Sequence, residues 1–465
     1  MGRENKKVTK IIRQISLYWL IIIASFSFGF YVYSAQIWPY QLVQEVKAYI
    51  VGHPEEGTSL LDKIKNDLDI KPTREINTFI EDKFLPYERW ELDNLSLSSR
   101  RDKPLIFLSD IALPGYRAIL GTFDFERGLN GIILLNPAGE KINTWEFDNS
   151  DVGILEGWAA NIIPESFEVA PDGTLLVVYD HGDSLVKYNY CGGIVWRISG
   201  FFHHSISFDG QGNFWIPGEI LEESYIKELD NFGQPQNLLK MDYHTGQLLK
   251  RISLMEIMEA NSESDILGVP NKNKLEDGEW IIDWFDNEGV IWHINDVEPL
   301  SQKLAKYYPD FEVGDLLVSL RSPNLVFVVD PNTLKIKWWR QGQTRRQHDP
   351  DWNDRGTITI FDNNTNREYS RIIDLDPTSY QYGVPVAGQD HNFYSAICGK
   401  HQQLPDGSFL ISSYKQGRVF EVNNQGDTTF EFLNTYNREK NEYLIVSEAR
   451  WLPLNYFGEL PKCNN

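Results

Sequence analysis

GIILLNPAGEKINTWEF (131–147) and NLVFVVDPNTLKIKWW (324–339) share one plan: an apolar run, an Asn or Asp, a polar turn, then a second apolar run holding Trp. The plan returns as SLVKYNYCGGIVWRI (184–198), NLLKMDYHTGQLLKRI (237–252), REYSRIIDLDPTSYQY (367–382) and GRVFEVNNQGDTTFEF (417–432). Each unit reads as a β-hairpin, its Asn or Asp opening the turn and its alternation burying one face. The turn openers are Asn136, Asn189, Asp242, Asp330, Asp374 and Asn423, at intervals of 53, 53, 88, 44 and 49 residues. Five of the six units follow a second strand signal: PDGTLLVVY (171–179), QGNFWIP (211–217), VGDLLVSL (313–320), RGTITIF (355–361) and PDGSFLISS (405–413). Two hairpins per repeat make a four-stranded sheet, and repeats of this length around a ring make a β-propeller. The expected fold is all-β, a six-bladed propeller over 103–457, with Ser253 to Glu279 as a helical, acidic insertion filling the long interval. A large β-sandwich would fit the strands but leaves the repeat unexplained.

Upstream the texture differs. Residues Ile15 to Tyr33 carry no charge, and nineteen helical residues span roughly 28 Å, about a hydrocarbon core. Arg3, Lys6, Lys7, Lys10 and Arg13 precede them against Glu4 alone, so 1–14 reads as a cytoplasmic basic tail and 15–34 as a transmembrane anchor exporting the rest. A signal peptide cut near Ser34-Ala35 is the rival, weakened by the bulky Tyr33 and the length of the run. From 35 to 102 apolar residues recur at helical spacing, as in Leu60, Leu61, Ile64 and Leu68, then Ile76, Phe79 and Ile80, with Ser59 and Asp62 as a capping pair. This segment reads as a short helical juxtamembrane neck.

A net charge of −22 argues against nucleic-acid binding, which draws on basic side chains. A hydrophobic content of 42% is ample for a core. Cys191, Cys398 and Cys463 allow at most one disulfide and have no zinc-cluster spacing, so pairing stays open. There is no GxSxG turn, Walker loop or Rossmann glycine fingerprint, so no cofactor is indicated. No HxH or HExxH pair offers a metal site, so one would need distant loops, and no metal ligand is assigned.

Nine histidines occur, and His203-His204, His293 and His348 lie just upstream of strand signals, a register that brings successive copies to one end of a propeller channel. Each has a plainer reading taken singly: a half-buried doublet, a core Trp-His pair, a surface turn, and for Arg321 an ordinary salt bridge. His391 and His401, flanking the last repeat, read as structural.

Together, HHSISFDGQGNFW, WHIND, SLRSPN and QHDPDWNDRGTITIFDN, in that order, resemble the bacterial arylsulfotransferases that work without the nucleotide donor PAPS. The resemblance covers roughly 105–455 and is densest from His203 to Asn363. It implies a six-bladed propeller exported across the inner membrane, with a transiently sulfated histidine. By motif His348 is the nucleophile, and His204, His293 and Arg321 handle the sulfuryl group and protons. His203, Asn295, Ser319 and Asp349 contribute to substrate binding. The implied partners are an aryl sulfate donor and a phenolic acceptor, with ping-pong kinetics. The chain departs from the family in its anchor, its neck, its own insertion and the lack of a close cysteine pair. Two other classes stay open at this point: a non-catalytic propeller binding an envelope ligand or protein, and a hydrolase or lyase using the same histidines.

Overall fold

A computed structural model describes residues 104–124, 129–147, 163–180, 184–220, 237–264, 293–365, 367, 369–437, 442–460 and 463. It also describes the backbone of short strands at 74–76, 90–91, 272–274 and 280–282. The turn chemistry builds the hairpins. Asn136 Oδ1 accepts from the N–H groups of Ala138 and Glu140, Asn189 from Cys191 and Gly193, and Asn423 from Gln425 and Asp427. Asp242 and Asp330 instead accept from the residue two ahead and from a Thr hydroxyl three ahead. In the fifth unit the turn opener is Asp376, not Asp374. Asp376 bonds Thr378 and Ser379, whereas Asp374 pairs with Gly383 within its strand. Asp376-Pro-Thr-Ser matches Asp330-Pro-Asn-Thr, and a following hydroxyl, rather than the first Asp met, marks the turn.

These hairpins assemble into antiparallel sheets in an all-β, propeller-like arrangement. Strands Ile294–Pro299, Leu316–Leu320, Leu325–Val329 and Ile336–Gln341 form one four-stranded sheet, and His348–Trp352, Ile358–Asp362, Arg371–Leu375 and Tyr382–Ala387 the next. The strands from Ile163–Val169 to Leu248–Ser253 make one continuous eight-stranded sheet rather than two of four. Its two halves join where Gly200, Phe201 and Phe202 pair with Ile220, Glu219 and Gly218, and Gly218, at φ 149°, lets the backbones approach.

The two ends of the fold close on each other. Leu105–Leu108 adds an outer strand to the sheet of Lys400–Gln403, Phe409–Ser413, Arg418–Val422 and Thr428–Leu433. Val446–Leu452 becomes the inner strand beside Tyr116–Asp124, Leu129–Leu135 and Lys141–Phe147. Apolar cores fill the space between neighbouring sheets: Ile119, Phe123, Phe430 and Phe432 across this closure, and Leu317, Val328, Ile360 and Ile373 between the two sheets following His293. Burying one such side chain contributes about 1.5–3 kcal/mol.

The insertion starts as expected, with helix Leu254–Ala260 capped reciprocally by Ser253 and Glu256, but continues into a ribbon of 272–274 with 280–282. In the expected neck, Arg74–Ile76 pairs with Glu442–Leu444 and Trp90–Glu91 with Leu105–Ile106. The rest of the expected helical neck lies outside the described residues. The expected anchor lies outside the described residues, and among those described no helix is long and apolar enough to cross a membrane.

Cys191 and Cys463 form a disulfide, which distance along the chain had hidden, and Cys398 is a buried thiol.

Candidate active site

The inner strands of the sheets surround a cavity of about 190 Å³ lined by residues of 163–169, 205–208, 294–299, 348–352, Lys400 and Arg450. Their leading ends are bent. Ladder irregularities fall between Pro164 and Ser166, Ile294 and Asp296, His348 and Pro350, and Val446 and Glu448. His204, His293, Asp349 and Cys398 take left-handed φ values of 68°, 42°, 52° and 52°. Non-glycine residues there cost of order 1–3 kcal/mol each, and such bends re-aim side chains.

The bends gather four imidazoles. His203, His204, His293 and His348 are each 2–3% exposed. The His204 ring lies 5.2 Å from His203, 4.7 Å from His293 and 5.6 Å from His348, stacked on the last at 19°. His204 Nε2 and His293 Nε2 are 2.8 Å apart. Two nitrogens bound to one zinc ion at tetrahedral angles would lie about 3.3 Å apart, so this pair shares a proton. Behind it, Glu165 Oε1 stands 2.7 Å from His204 Nδ1, and Glu165 Oε2 accepts the His204 backbone N–H at 2.7 Å. A carboxylate, an imidazole and a second imidazole are thus in series.

His348 is held differently. Its Nδ1 faces two oxygens, Asn363 Oδ1 at 2.6 Å and the Arg346 carbonyl at 3.0 Å. Asn363 cannot be turned round, because its Nδ2 donates to the carbonyls of Ser395 and Cys398 at 2.9 and 2.5 Å. Two acceptors require Nδ1 to carry the proton, which places the lone pair on Nε2. Gln347 anchors this segment. Its Nε2 donates to Ser319 Oγ and to the carbonyls of Leu320 and Leu325, and its own carbonyl accepts from Asn295 Nδ2 at 2.6 Å. Arg321, 1% exposed, follows that strand, its backbone N–H donating to the His293 carbonyl at 3.0 Å.

The structure therefore brings the four expected histidines together, with Arg321 joined through its backbone to His293. It turns Asn295 and Ser319, both fully buried, onto Gln347, where they brace the segment that carries His348. Asp349 faces a second cluster: its Oδ1 accepts from Lys400 at 2.9 Å and its Oδ2 from the His401 backbone at 2.6 Å. Glu165 and Asn363 had no role assigned from sequence, although Asn363 ends the QHD motif.

The cavity itself is lined by Glu168, Asp296, Glu298, Asp349 and Asp351 together with Lys400 and Arg450. Burial pushes Glu168 up to about 7 and Asp296 up to about 6, and raises Glu298 well above the usual carboxylate range. Burial acts on Asp349 in the same sense, but Lys400 and His401 hold it far below. Lys400 rises above its ordinary value because Asp349 and Asp296 outweigh its desolvation.

The arylsulfotransferase (ASST) family model matches residues 197–435. No curated protein matches the chain. Among solved structures, a Bacteroides caccae protein of unknown function is similar at 13% identity, over 73% of this chain and 99% of that one, with a TM-score of 0.46. TolB from Acinetobacter baumannii is similar at 12% identity, over 73% and 67%, with a TM-score of 0.42. A streptogramin B lyase shows 10% identity over 71% and 88%, with a TM-score of 0.37. Likeness at that level says nothing of activity. The family match is of another kind: it runs through all four histidine and arginine motifs and covers more than half of the 465 residues, and the chain belongs to the arylsulfotransferase family.

Proposed function

We propose that the chain is a PAPS-independent aryl sulfotransferase that moves SO3 from a phenolic sulfate ester to a phenol through a sulfated His348. The observation that carries this reading is the pair of acceptor oxygens, on Asn363 and Arg346, that face His348 Nδ1 and so assign it the proton. It makes Nε2 the nucleophilic atom and leaves two carbonyl dipoles to stabilise the imidazolium that forms.

In the first displacement Nε2 forms a bond to sulfur as the bond from sulfur to the aryl oxygen breaks. The phenolate, whose conjugate acid has a pKa of about 10, takes a proton from the His204–His293 pair. Glu165 stabilises the positive charge that this pair carries beforehand. In the second displacement the acceptor phenol returns a proton to the pair, its oxygen bonds to sulfur, and the nitrogen–sulfur bond breaks. Arg321 and His203 bind the sulfuryl oxygens, since guanidinium offers a planar fork of donors.

Six blades accord with this reading: cores recur between successive sheets all round the fold, and the eight-stranded sheet divides naturally at Phe202. A disulfide suits an oxidising compartment, in keeping with export behind the uncharged segment Ile15 to Tyr33 as a single-pass signal-anchor with the catalytic domain in the periplasm.

The test is incubation of purified protein with 4-nitrophenyl sulfate, with and without phenol. Fast release of 4-nitrophenol only with phenol, and a mass gain of one SO3 on the His348 peptide without it, are expected. Equal turnover without acceptor would make the protein a hydrolase.

A further inference from the structure

We propose that His401 and Asp351, with Asp349 orienting the histidine, bind a divalent transition-metal ion of the zinc or manganese class inside the channel, apart from the histidines of the mouth. Asp349, Asp351 and His401 offer donor atoms all within 4.8 Å of one another. Acidic residues gather in many proteins without an ion, so the weight falls on His401. Its side chain is fully buried, and its Nδ1 lies 3.0 Å from Asp349 Oδ2. A carboxylate at that distance accepts from Nδ1–H, which leaves Nε2 as the ring nitrogen that can offer a lone pair to an ion. Nε2 is buried and makes no hydrogen bond, and it stands 3.7 Å from Asp351 Oδ2.

That gap is too long for a hydrogen bond. It is close to the separation of two donors on one ion, about 3.0–3.4 Å for bonds of 2.0–2.2 Å, and a small side-chain shift closes the difference. An imidazole whose second nitrogen donates to a carboxylate is also the usual arrangement behind a metal-bound histidine. An ion held by Asp351 and His401 leaves the Lys400–Asp349 pair intact, because that pair uses the other oxygen of Asp349. Such an ion would pin strand His348–Trp352 to strand Lys400–Gln403, fixing the segment on which His348 stands.

The experiment uses the full chain without a histidine tag, stripped with chelator and titrated with Zn2+ and Mn2+ by calorimetry, with elemental analysis after dialysis. One equivalent per chain is expected, with a rise in Tm. Asp351→Asn and His401→Gln should each weaken binding by about 10–100-fold or more, while His348→Ala leaves it unchanged. Absence of a stoichiometric site in the unmodified protein would overturn the proposal, whatever the variants do. So would loss of the ion in His348→Ala with retention in Asp351→Asn, which would move the site to the mouth. Because binding is read without turnover, the result is separate from that of the sulfotransfer test.

Discussion

The mouth and the interior of the channel are built on the same strands, yet they manage buried polarity in opposite ways. At the mouth three of the four imidazoles are arranged by hydrogen-bond direction: Glu165 sets His204, His204 sets His293, and Asn363 sets His348. A few residues further along, the interior is arranged by charge, with five carboxylates opposed by Lys400 and Arg450. The first arrangement positions protons and lone pairs for chemistry. The second holds the inner strands together, since taking one charge from a buried pair leaves its partner uncompensated. The molecule thus separates reactivity from cohesion along one axis, and each can be removed while the other is watched.

The largest effect is expected at the mouth. His348→Ala should lower transfer by about 10⁴-fold or more, because loss of a nucleophile removes the covalent route altogether. Its denaturation midpoint should stay near that of the unmodified protein. A variant that keeps transferring SO3, measured by 4-nitrophenol release with phenol present, removes His348 from the mechanism.

Lys400→Met tests the other half. It leaves Asp349 and Asp296 in the interior without their cation, at 2.9 and 3.6 Å from where Nζ stood, and breaking a buried pair costs about 3–5 kcal/mol. Urea denaturation should show that loss, while activity per folded molecule falls far less than in His348→Ala. Equal stability would mean that the interior acids already carry their own protons.

How much of this was legible beforehand follows from how local each signal is. Hairpins depend on neighbours in sequence, so the Asn and Asp turns were readable, and only Asp376 was displaced, by a nearer Asp. Strands Arg74–Ile76 and Val446–Leu452 depend on edges supplied hundreds of residues away, and so does the pairing of Cys191 with Cys463. The site histidines were found through motifs, but Glu165 carries none. A register signal would have found it: Glu165, His204, His348 and Gly399 each stand eight residues before a left-handed hairpin glycine, at 173, 212, 356 and 407. Asn295 and Ser319 could not be told from ligand-binding residues by type, because an amide or hydroxyl bonds Gln347 or a sulfate equally well.

Glu165→Gln sharpens the mouth itself. The amide keeps the size of the side chain but not the charge that supports a protonated His204–His293 pair. Turnover should fall by about 10²-fold for donors with poor leaving groups, the usual worth of general acid catalysis. The loss should be much smaller with 4-nitrophenyl sulfate, whose phenolate departs without a proton. A uniform loss across donors would assign Glu165 to positioning alone.

Gly399 gives the smallest effect and asks why the register skips a side chain in one sheet. A Cβ built there would lie 2.3 Å from the Phe361 ring, and φ is 103°, so alanine meets both a clash and a conformation that favours glycine. Gly399→Ala should cost about 1–3 kcal/mol, since overpacking a core beside an aromatic ring forces side chains from their rotamers. Phe361 adjoins Asp362 and Asn363, so the strain falls on the strand that orients His348. The informative measurement is therefore activity per folded molecule against stability. If the two fall together, the mouth depends on the packing of this sheet. If stability alone falls, the Asn363 clamp on His348 is stiff enough to hold the nucleophile against a shift one layer behind it.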